Sequence, residues 1–288
     1  MLPSRVASML IWLNDGLVEA EQAYVHAFDH GLTVGDGVFE TAKVVDGVPF
    51  ALGRHLHRLA SSAASLGLPS PDLSRVEHAC REVVNATASS GQHRLRITYT
   101  AGNGPLSSVR GDGPPTLIVA ATPSTPFGPG SSCAIAVVPW VRNERGALAG
   151  VKSTSYAENV MALAAANESG ADEAVFADTQ GRLSECTGSN VYVVHGSSVS
   201  TPSLSSGCLA GVTRALLLEW TTVESAELEL NVLDSAEEIF ITSSTRDVLA
   251  VNAVHWPDGR VRELAAPGPV TTGIQQEFNI RSAKEPDP

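Results

Sequence analysis

The sequence predicts an α+β fold in two domains, and three observations support this prediction. Apolar residues recur with helical spacing in some segments and with strand spacing in others, these segments follow no strict strand–helix–strand rhythm, and a segment rich in proline and glycine interrupts the pattern. A chain of 288 residues has room for two domains at about 100–200 residues each. Its 43% of hydrophobic residues exclude a disordered chain.

The first 121 residues alternate strand and helix signals and are predicted to form a small N-terminal α+β domain. Two hairpins come first, because a turn containing Asp-Gly separates short apolar runs in each. Two amphipathic helices follow, and Gly67 ends the first of them. Two further strands complete the domain. The predicted bounds are 10–13 and 17–18, then 38–45 and 48–52, for the hairpins, 56–66 and 73–83 for the helices, and 95–99 and 116–121 for the last strands.

Residues 122–132 read TPSTPFGPGSS, with three prolines and two glycines. This composition is typical of a linker, so we place an interdomain linker at 122–132 and a large C-terminal domain at 133–288. The elements predicted there are strands at 134–138, 173–177, 190–194, 238–242 and 248–254 and helices at 156–168, 211–220 and 270–278.

Charge and cysteine content argue against several function classes. A formal net charge of −12 disfavours nucleic-acid binding, which needs clustered Lys and Arg, and no apolar run reaches the ~18 residues of a membrane-spanning helix. The four cysteines form no CxxC pair, so we expect a reduced, cytoplasmic chain without a zinc ribbon. Met1 to Leu13 reads better as part of a hairpin than as a signal peptide, since no small-residue cleavage site precedes its turn.

Lys152 is one of only three lysines and lies outside any cluster of charges. It has no acidic residue within five positions on either side and follows an apolar stretch, which is consistent with partial burial of its amine. Burial lowers the pKa of an ammonium and frees the amine to attack a carbonyl group. A surface lysine at the end of a strand would fit the same residues.

Three segments have the residue types that bind an anion. Gly211-Val212-Thr213 stands at the start of a predicted helix, where backbone N–H groups favour an anion, although it matches neither the P-loop nor the dinucleotide pattern. Hydroxyl side chains at 242–245 follow an apolar strand, and Arg58 offers a guanidinium that binds phosphate through two N–H groups. Helix capping, turn formation and an ordinary surface charge would explain these segments equally.

Glu185 lies between two predicted strands, where a lone carboxylate is usually a turn residue. His55 and His57 are two positions apart and therefore do not share a helix face, which argues against a metal site. Taken together, an isolated lysine, a carboxylate and an anion-binding segment meet the needs of pyridoxal 5'-phosphate (PLP). This cofactor takes a Schiff-base lysine, a carboxylate at its ring nitrogen and a phosphate-binding loop.

The chain resembles the class IV aminotransferases, the fold-type IV PLP-dependent enzymes, from Ile11 to about Phe278. This group holds branched-chain and D-amino-acid aminotransferases, R-selective amine transaminases and aminodeoxychorismate lyase. The segments that carry the resemblance are Gly35-Asp-Gly-Val-Phe-Glu40, His55-Leu-His-Arg58-Leu, Leu183-x-Glu185-x-x-x-Ser-Asn190 and Gly211-Val-Thr-Arg214. The resemblance implies mixed sheets with flanking helices, a cofactor between the two domains, and a homodimer whose partner helps to close the pocket.

The resemblance also implies roles for individual residues. Lys152 is the catalytic residue and forms the Schiff base, and Glu185 pairs with the pyridine nitrogen. Tyr156 contacts the phenolic oxygen of the cofactor if a one-residue gap is allowed. The residues implied at the phosphate are Arg58, Val212, Thr213, Ser243 and Ser244, and those implied near the substrate are Phe39 and Arg96.

Four positions depart from the patterns of the family's subgroups. Phe39 stands where D-amino-acid aminotransferases have a Tyr and Ala101 where they have an Arg, Arg94 stands where branched-chain enzymes have a Tyr, and Ser155 where the lyases have an Asn. We therefore expect a transaminase that passes an amino group between an amino acid or amine and a 2-oxo acid. Aminodeoxychorismate lyase activity on the same scaffold is the alternative, and a catalytically silent PLP-binding or scaffold protein is a third possibility.

Overall fold

A computed structural model of the chain describes residues 9–87 and 90–288. Met1 to Ser8, which belong to the segment compared above with a signal peptide, lie outside the described residues. The described chain forms two units. The first unit extends to Thr125 and also includes Val151–Ser155 and Pro286–Pro288, whereas the second comprises Pro126–Gly150 and Tyr156–Glu285. Each unit combines a sheet with helices, so the predicted α+β class is confirmed.

The first unit contains a six-stranded antiparallel sheet. Its strands are β1 (Leu10–Leu13), β2 (Gly16–Glu19), β3 (Gly37–Val45), β4 (Val48–Pro49), β5 (Gln92–Thr100) and β6 (Thr116–Pro123), in the order β2-β1-β6-β5-β3-β4. Its helices are α1 (His30–Thr33), α2 (Leu52–Ser65) and α3 (Leu73–Thr87). The apolar stripes of α2 and α3 form one core with alternate residues of the sheet. Leu59 of α2, Val83 of α3, and Leu95 and Ile97 of β5 are all fully buried in it.

Two predicted segments differ in secondary structure from what the sequence pattern indicated. The strand predicted at 48–52 ends at Pro49, because Ala51 adopts a left-handed conformation with φ of 53° and α2 begins at the next residue. Residues 122–132 are not irregular throughout. Thr122 and Pro123 extend β6, and Ser132 is already the first residue of the next strand.

The second unit contains a nine-stranded mixed sheet. Its strands are β7 (Ser132–Arg142), β8 (Glu173–Asp178), β9 (Leu183–Cys186), β10 (Asn190–His195), β11 (Ser198–Pro202), β12 (Glu224–Ala226), β13 (Glu238–Ser243), β14 (Asp247–His255) and β15 (Val261–Glu263). The order is β12-β11-β10-β13-β14-β7-β8-β9, with β15 paired to β14. Its helices are α4 (Ala157–Glu168), α5 (Val212–Trp220) and α6 (Pro269–Lys284).

Four short strands of this unit, β9, β11, β12 and β15, were not predicted. Their sequences, LSEC, SVSTP, ESA and VRE, are too short or too polar to show strand periodicity. Strand β9 contains Glu185, so the expectation that this residue lies in a turn was wrong. Among residues 9–87 and 90–288, no helix combines the length and the apolar character needed to cross a bilayer.

Candidate active site

Arg58 belongs to a buried ion-pair cluster in the first unit. Glu40 lies on β3 and is fully buried, while His55 and Arg58 share one face of α2 because they are three residues apart. The Nδ1 atom of His55 lies 2.6 Å from the Glu40 carboxylate. The Nε and Nη2 atoms of Arg58 donate to the two oxygens of Glu40 at 2.8 and 2.7 Å. This bidentate pair fixes the plane of the guanidinium.

The same cluster sets the charge of its members. Burial disfavours the ionised form of Glu40, but the charge and hydrogen bonds of Arg58, together with His55, outweigh burial and hold the pKa of Glu40 far below its usual range. Burial also lowers the pKa of His55; the hydrogen bond and charge of Glu40 oppose this effect, the positive charges of Arg58 and Lys152 add to it, and the net direction is downward. Glu40 is therefore ionised and His55 neutral near pH 7.

Lys152 lies in the short segment of the first unit that contacts β3. Its carbonyl oxygen accepts a hydrogen bond from the N–H of Phe39 at 3.0 Å, and its own N–H donates to the hydroxyl of Ser62 on α2 at 3.4 Å. The side chain is half-buried, with Nζ 4.3 Å from the centre of the Phe39 ring. The guanidinium of Arg96 on β5 stacks on the same ring at 3.4 Å. Phe39 thus contacts both the amine and an exposed guanidinium.

In the second unit, Glu185 is half-buried on β9. One carboxylate oxygen accepts a hydrogen bond from the N–H of Leu209 at 2.9 Å. The other lies 3.3 Å from Nε of Arg142, whose Nη1 also contacts Glu158 at 3.1 Å. Arg142 was missed by the sequence reasoning. It stands 43 positions before Glu185, and no local pattern signals an ion pair over that separation.

Val212 and Thr213 form the first turn of α5. The residue before them, Gly211, is the N-cap, and no side chain caps this helix, so the N–H groups of the first turn point outward as donors. A side chain on Gly211 would bring its Cβ into a clash with the amide oxygen of Asn190. The amide nitrogen of Asn190 donates to the carbonyl of Leu209 at 2.9 Å. Glu185 and Asn190 therefore bind the N–H and the carbonyl group of Leu209, respectively, and fix the backbone at this residue.

Ser243 and Ser244 lie where β13 ends, in the turn that leads to β14, and both are half-buried. Tyr156 precedes α4, and its hydroxyl donates to the carbonyl of Thr187 at 2.9 Å. The amide of Asn159, one turn later in the same segment, donates to the same carbonyl at 2.6 Å. The Thr187 carbonyl thus orients Tyr156.

These residues fit PLP by their chemistry. The uncapped first turn of α5 and the hydroxyls of Thr213, Ser243 and Ser244 are donors suited to a phosphate. Glu185 offers a carboxylate for a ring nitrogen, and Lys152 offers an amine. Within the part of the chain that the structure describes, no group of three or more His, Cys, Asp or Glu side chains is arranged to hold a metal ion.

Two sets of candidate residues result. The structure brings Arg58, Lys152, Phe39 and Arg96 together in the first unit, through Glu40 and the Phe39 ring. It links Glu185 to the start of α5 in the second unit, through Leu209. Besides Arg142, sequence reasoning missed the supporting roles of Glu40, Asn159 and Asn190.

Comparison with known proteins identifies the family. The family model described as "Amino-transferase class IV" matches residues 37–254. A Methanocaldococcus jannaschii protein assigned as a branched-chain-amino-acid aminotransferase is 33% identical over 280 residues, which cover 94% of this chain and 95% of that protein. The D-alanine aminotransferase of Bacillus licheniformis is 30% identical over 281 residues, which cover 93% of this chain and 95% of that protein.

A solved structure agrees with these matches. A hypothetical aminotransferase from Mycobacterium tuberculosis in its PLP-bound form superimposes with a TM-score of 0.82 and is 25% identical, covering 96% of this chain and 99% of its own. The family match spans most of the chain, and the relatives align over nearly their whole length. The protein therefore belongs to the class IV aminotransferase family and is a transaminase of fold type IV.

Proposed function

We propose that Lys152 is the amine that carries PLP and moves the proton in transamination between an amino acid or amine and a 2-oxo acid. The class IV family and the PLP-bound form of the M. tuberculosis structure imply this cofactor. The lyase alternative gains no support over transamination, since both curated relatives described above carry aminotransferase names.

The proposed roles follow from the chemistry of each side chain. Bound PLP withdraws electrons from the substrate Cα and so makes its proton acidic. Lys152 Nζ would hold the cofactor until the amino group of the substrate displaces it, and the freed amine would then take that Cα proton as the general base. Glu185 keeps the ring nitrogen protonated, and Tyr156 orients the phenolic oxygen. The residues proposed to hold the phosphate are Arg58, Val212, Thr213, Ser243 and Ser244.

The proposal rests on the structural environment of Lys152. Its backbone is hydrogen-bonded on both sides, to Phe39 and to Ser62, and its amine lies close enough to the buried cluster to lower the pKa of His55. The other two lysines differ. Lys43 is buried in β3, over the ring of Phe50, and Lys284 is exposed at the end of α6.

Borohydride reduction of the PLP-loaded protein, followed by peptide mapping, tests the assignment. We expect the stable adduct on Lys152, and we expect Lys152→Ala to lose both the adduct and all measurable turnover, because Lys43 is buried in β3 and Lys284 lies at the end of α6. Lys284→Ala is the matched control and should behave as wild type. An adduct on Lys43, or unchanged turnover in Lys152→Ala, would refute the proposal.

Phe39 and Arg96 are proposed to define the substrate side of the site. Arg96 stacks on the ring that also contacts the Lys152 amine, so a substrate held at this amine brings its carboxylate near a guanidinium. An assay for pyruvate with aminodeoxychorismate as the substrate and no added keto acceptor separates the two candidate reactions, since a lyase continues to release pyruvate over many turnovers whereas a transaminase stops after one half-reaction per active site. Half-reactions with L- and D-amino acids and chiral amines would then identify the amino donor.

We also infer a homodimer. Tyr24, Leu32, Leu106 and Val109 are large apolar side chains, each more than two-thirds exposed, on two adjacent segments of the first unit. These segments are joined by a hydrogen bond from the Gly104 N–H to the Phe28 carbonyl and by others nearby. An apolar patch of this kind is typical of a protein interface. Leu106→Asp should therefore produce monomers in sedimentation analysis, and an unchanged mass would contradict the inference.

The cysteines support a cytoplasmic location. All four cysteines, Cys80, Cys133, Cys186 and Cys208, are free thiols buried in the protein interior. Unpaired cysteines are the rule in a reducing compartment.

A further inference from the structure

Glu173, the first residue of β8, carries a buried carboxylate that has no part in the roles proposed above. Its side chain is 2% exposed. It accepts hydrogen bonds from the hydroxyl of Thr187, the N–H of Gly188 at 3.3 Å, the hydroxyl of Ser189 at 2.9 Å and the guanidinium of Arg246. A buried carboxylate is costly unless it is paired in this way, so the arrangement of its partners is fixed by the charge.

The four partners come from two turns of the second unit. The turn at 187–189 connects β9, which holds Glu185, to β10. Arg246 belongs to the turn between β13 and β14, and its N–H donates to the carbonyl of Ser243 at 3.2 Å. The guanidinium of Arg246 also contacts the hydroxyl of Ser189 at 3.2 Å. The two turns are thus joined both directly and through Glu173.

A third candidate residue depends on the same turn. The Thr187 carbonyl that accepts the hydroxyl of Tyr156 belongs to the residue whose own hydroxyl donates to Glu173. Moving Thr187 would therefore move the partner of Tyr156. Through these hydrogen bonds, the carboxylate of Glu173 supports the turn that follows Glu185, the hydrogen-bond partner of Tyr156 and the turn that carries Ser243 and Ser244.

We propose that Glu173 is a positioning residue for PLP. Through the turn at 187–189 and through Arg246, it sets the placement of Glu185, Tyr156 and the two serines relative to one another. It touches neither cofactor nor substrate. The inference rests on the proposed function, in which those residues contact PLP.

Glu173→Gln tests the proposal in the apoprotein, with PLP affinity and backbone hydrogen exchange as readouts. Glutamine keeps the size of the side chain but removes the charge that draws the two hydroxyls and Arg246 together. We expect the Kd for PLP to rise roughly 10- to 100-fold. Without PLP, amide exchange should accelerate at 186–190 and at 243–247. Ser189→Ala removes one contact and leaves the buried charge paired, so it should fold normally and weaken PLP binding by a smaller factor.

Asp178→Asn is the matched control. Asp178 is a buried carboxylate at the other end of β8, paired with Arg182 at 2.7 Å and with the N–H groups of Gln180 and Arg182. The Asp178→Asn substitution should lower the Tm and leave the Kd for PLP unchanged. The proposal is overturned if Glu173→Gln and Ser189→Ala both bind PLP as wild type does, or if Asp178→Asn weakens binding as much as Glu173→Gln. Failure of the wild-type protein to bind PLP would instead refute the proposed function.

Discussion

The two units hold their candidate cofactor residues in different ways. In the first unit, Arg58 itself pairs with the buried carboxylate of Glu40, so the group proposed to bind phosphate also compensates a buried charge. In the second unit, the groups proposed to contact PLP lie on β9, on the first turn of α5 and on loops, and other side chains such as Glu173 and Asn190 hold those segments. Substitutions should therefore combine effects on stability and binding in the first unit and separate them in the second.

The largest effect expected in the second unit is on catalysis. Glu185→Gln keeps an oxygen that can accept from the Leu209 N–H but removes the negative charge proposed to stabilise the protonated ring nitrogen. We expect proton abstraction from the substrate Cα to slow by about 10²–10⁴-fold, with little change in the free energy of unfolding. Single-turnover kinetics with substrate deuterated at Cα measures this step.

Glu158→Gln is the control for that experiment. Glu158 pairs with the same arginine, Arg142, but its side chain is 54% exposed, so its removal should leave both the rate and the stability close to wild type. Normal single-turnover kinetics in Glu185→Gln, or an equal loss in both variants, would contradict the proposed role of Glu185.

In the first unit the corresponding substitution should affect stability first. Glu40→Ala leaves a half-buried guanidinium and a buried imidazole without their common partner, which we expect to lower the free energy of unfolding by about 3–5 kcal/mol. Urea denaturation measures it. The exposed pair of Glu77 and Arg81 on α3 is the comparison, because Glu77→Ala should cost less than about 1 kcal/mol.

The pH dependence of stability tests the role of the buried Glu40 and His55 cluster in the first unit. The pKa of Glu40 is lowered on folding, so its stabilisation is complete above its ordinary value of 4.5 and is lost as the pH falls below it. The pKa of His55 is lowered as well, so stability already declines as the pH falls through 6.5, where the unfolded chain takes up a proton. Wild type should lose stability in both ranges, and Glu40→Gln should show a smaller decline below 4.5, where Glu144 and Asp258, whose pKa values are also lowered, still contribute.

Sequence reasoning predicted long regular elements better than short ones. The periodicity of α2, α3 and β5 reflects burial of one face, which the chain shows locally. Strand β9 has four residues and shows no alternation that could be recognised, so Glu185 was expected in a turn. Tertiary pairing, and not local preference, makes this segment a strand.

The candidate site shows the same difference between what is local in the sequence and what depends on tertiary contacts. Lys152 and Glu185 could be named from residue type, from isolation in the sequence and from the family resemblance. Their supports could not, because Glu173 and Arg246 are 73 positions apart and Glu40 and Arg58 are 18 apart. Residue types and spacing say which chemistry is available, whereas the contacts that orient it arise only when the sheets form.

The smallest expected effect concerns the helix that carries His55 and Arg58. No side chain adjoining α2 in sequence caps its N-terminus. Instead Asp287 accepts the N–H of Gly53 at 2.8 Å, and the carbonyl of Pro286 accepts the N–H of Ala51 at 2.7 Å. A carboxylate at this end also interacts favourably with the helix dipole. Asp287→Ala should therefore lower the free energy of unfolding by about 1 kcal/mol.

The control for the helix cap is Glu285→Ala, which removes a nearby exposed carboxylate that does not contact the Gly53 N–H. High salt screens the charge–dipole part of the interaction, so the difference between Asp287→Ala and wild type should shrink as salt is added. Asp287→Asn retains an oxygen that accepts the Gly53 N–H, so it should recover part of the loss. If all three variants unfold at the same urea concentration, Asp287 does not cap α2, and this helix is held by its apolar contacts with the core and by its ion pairs with Glu40.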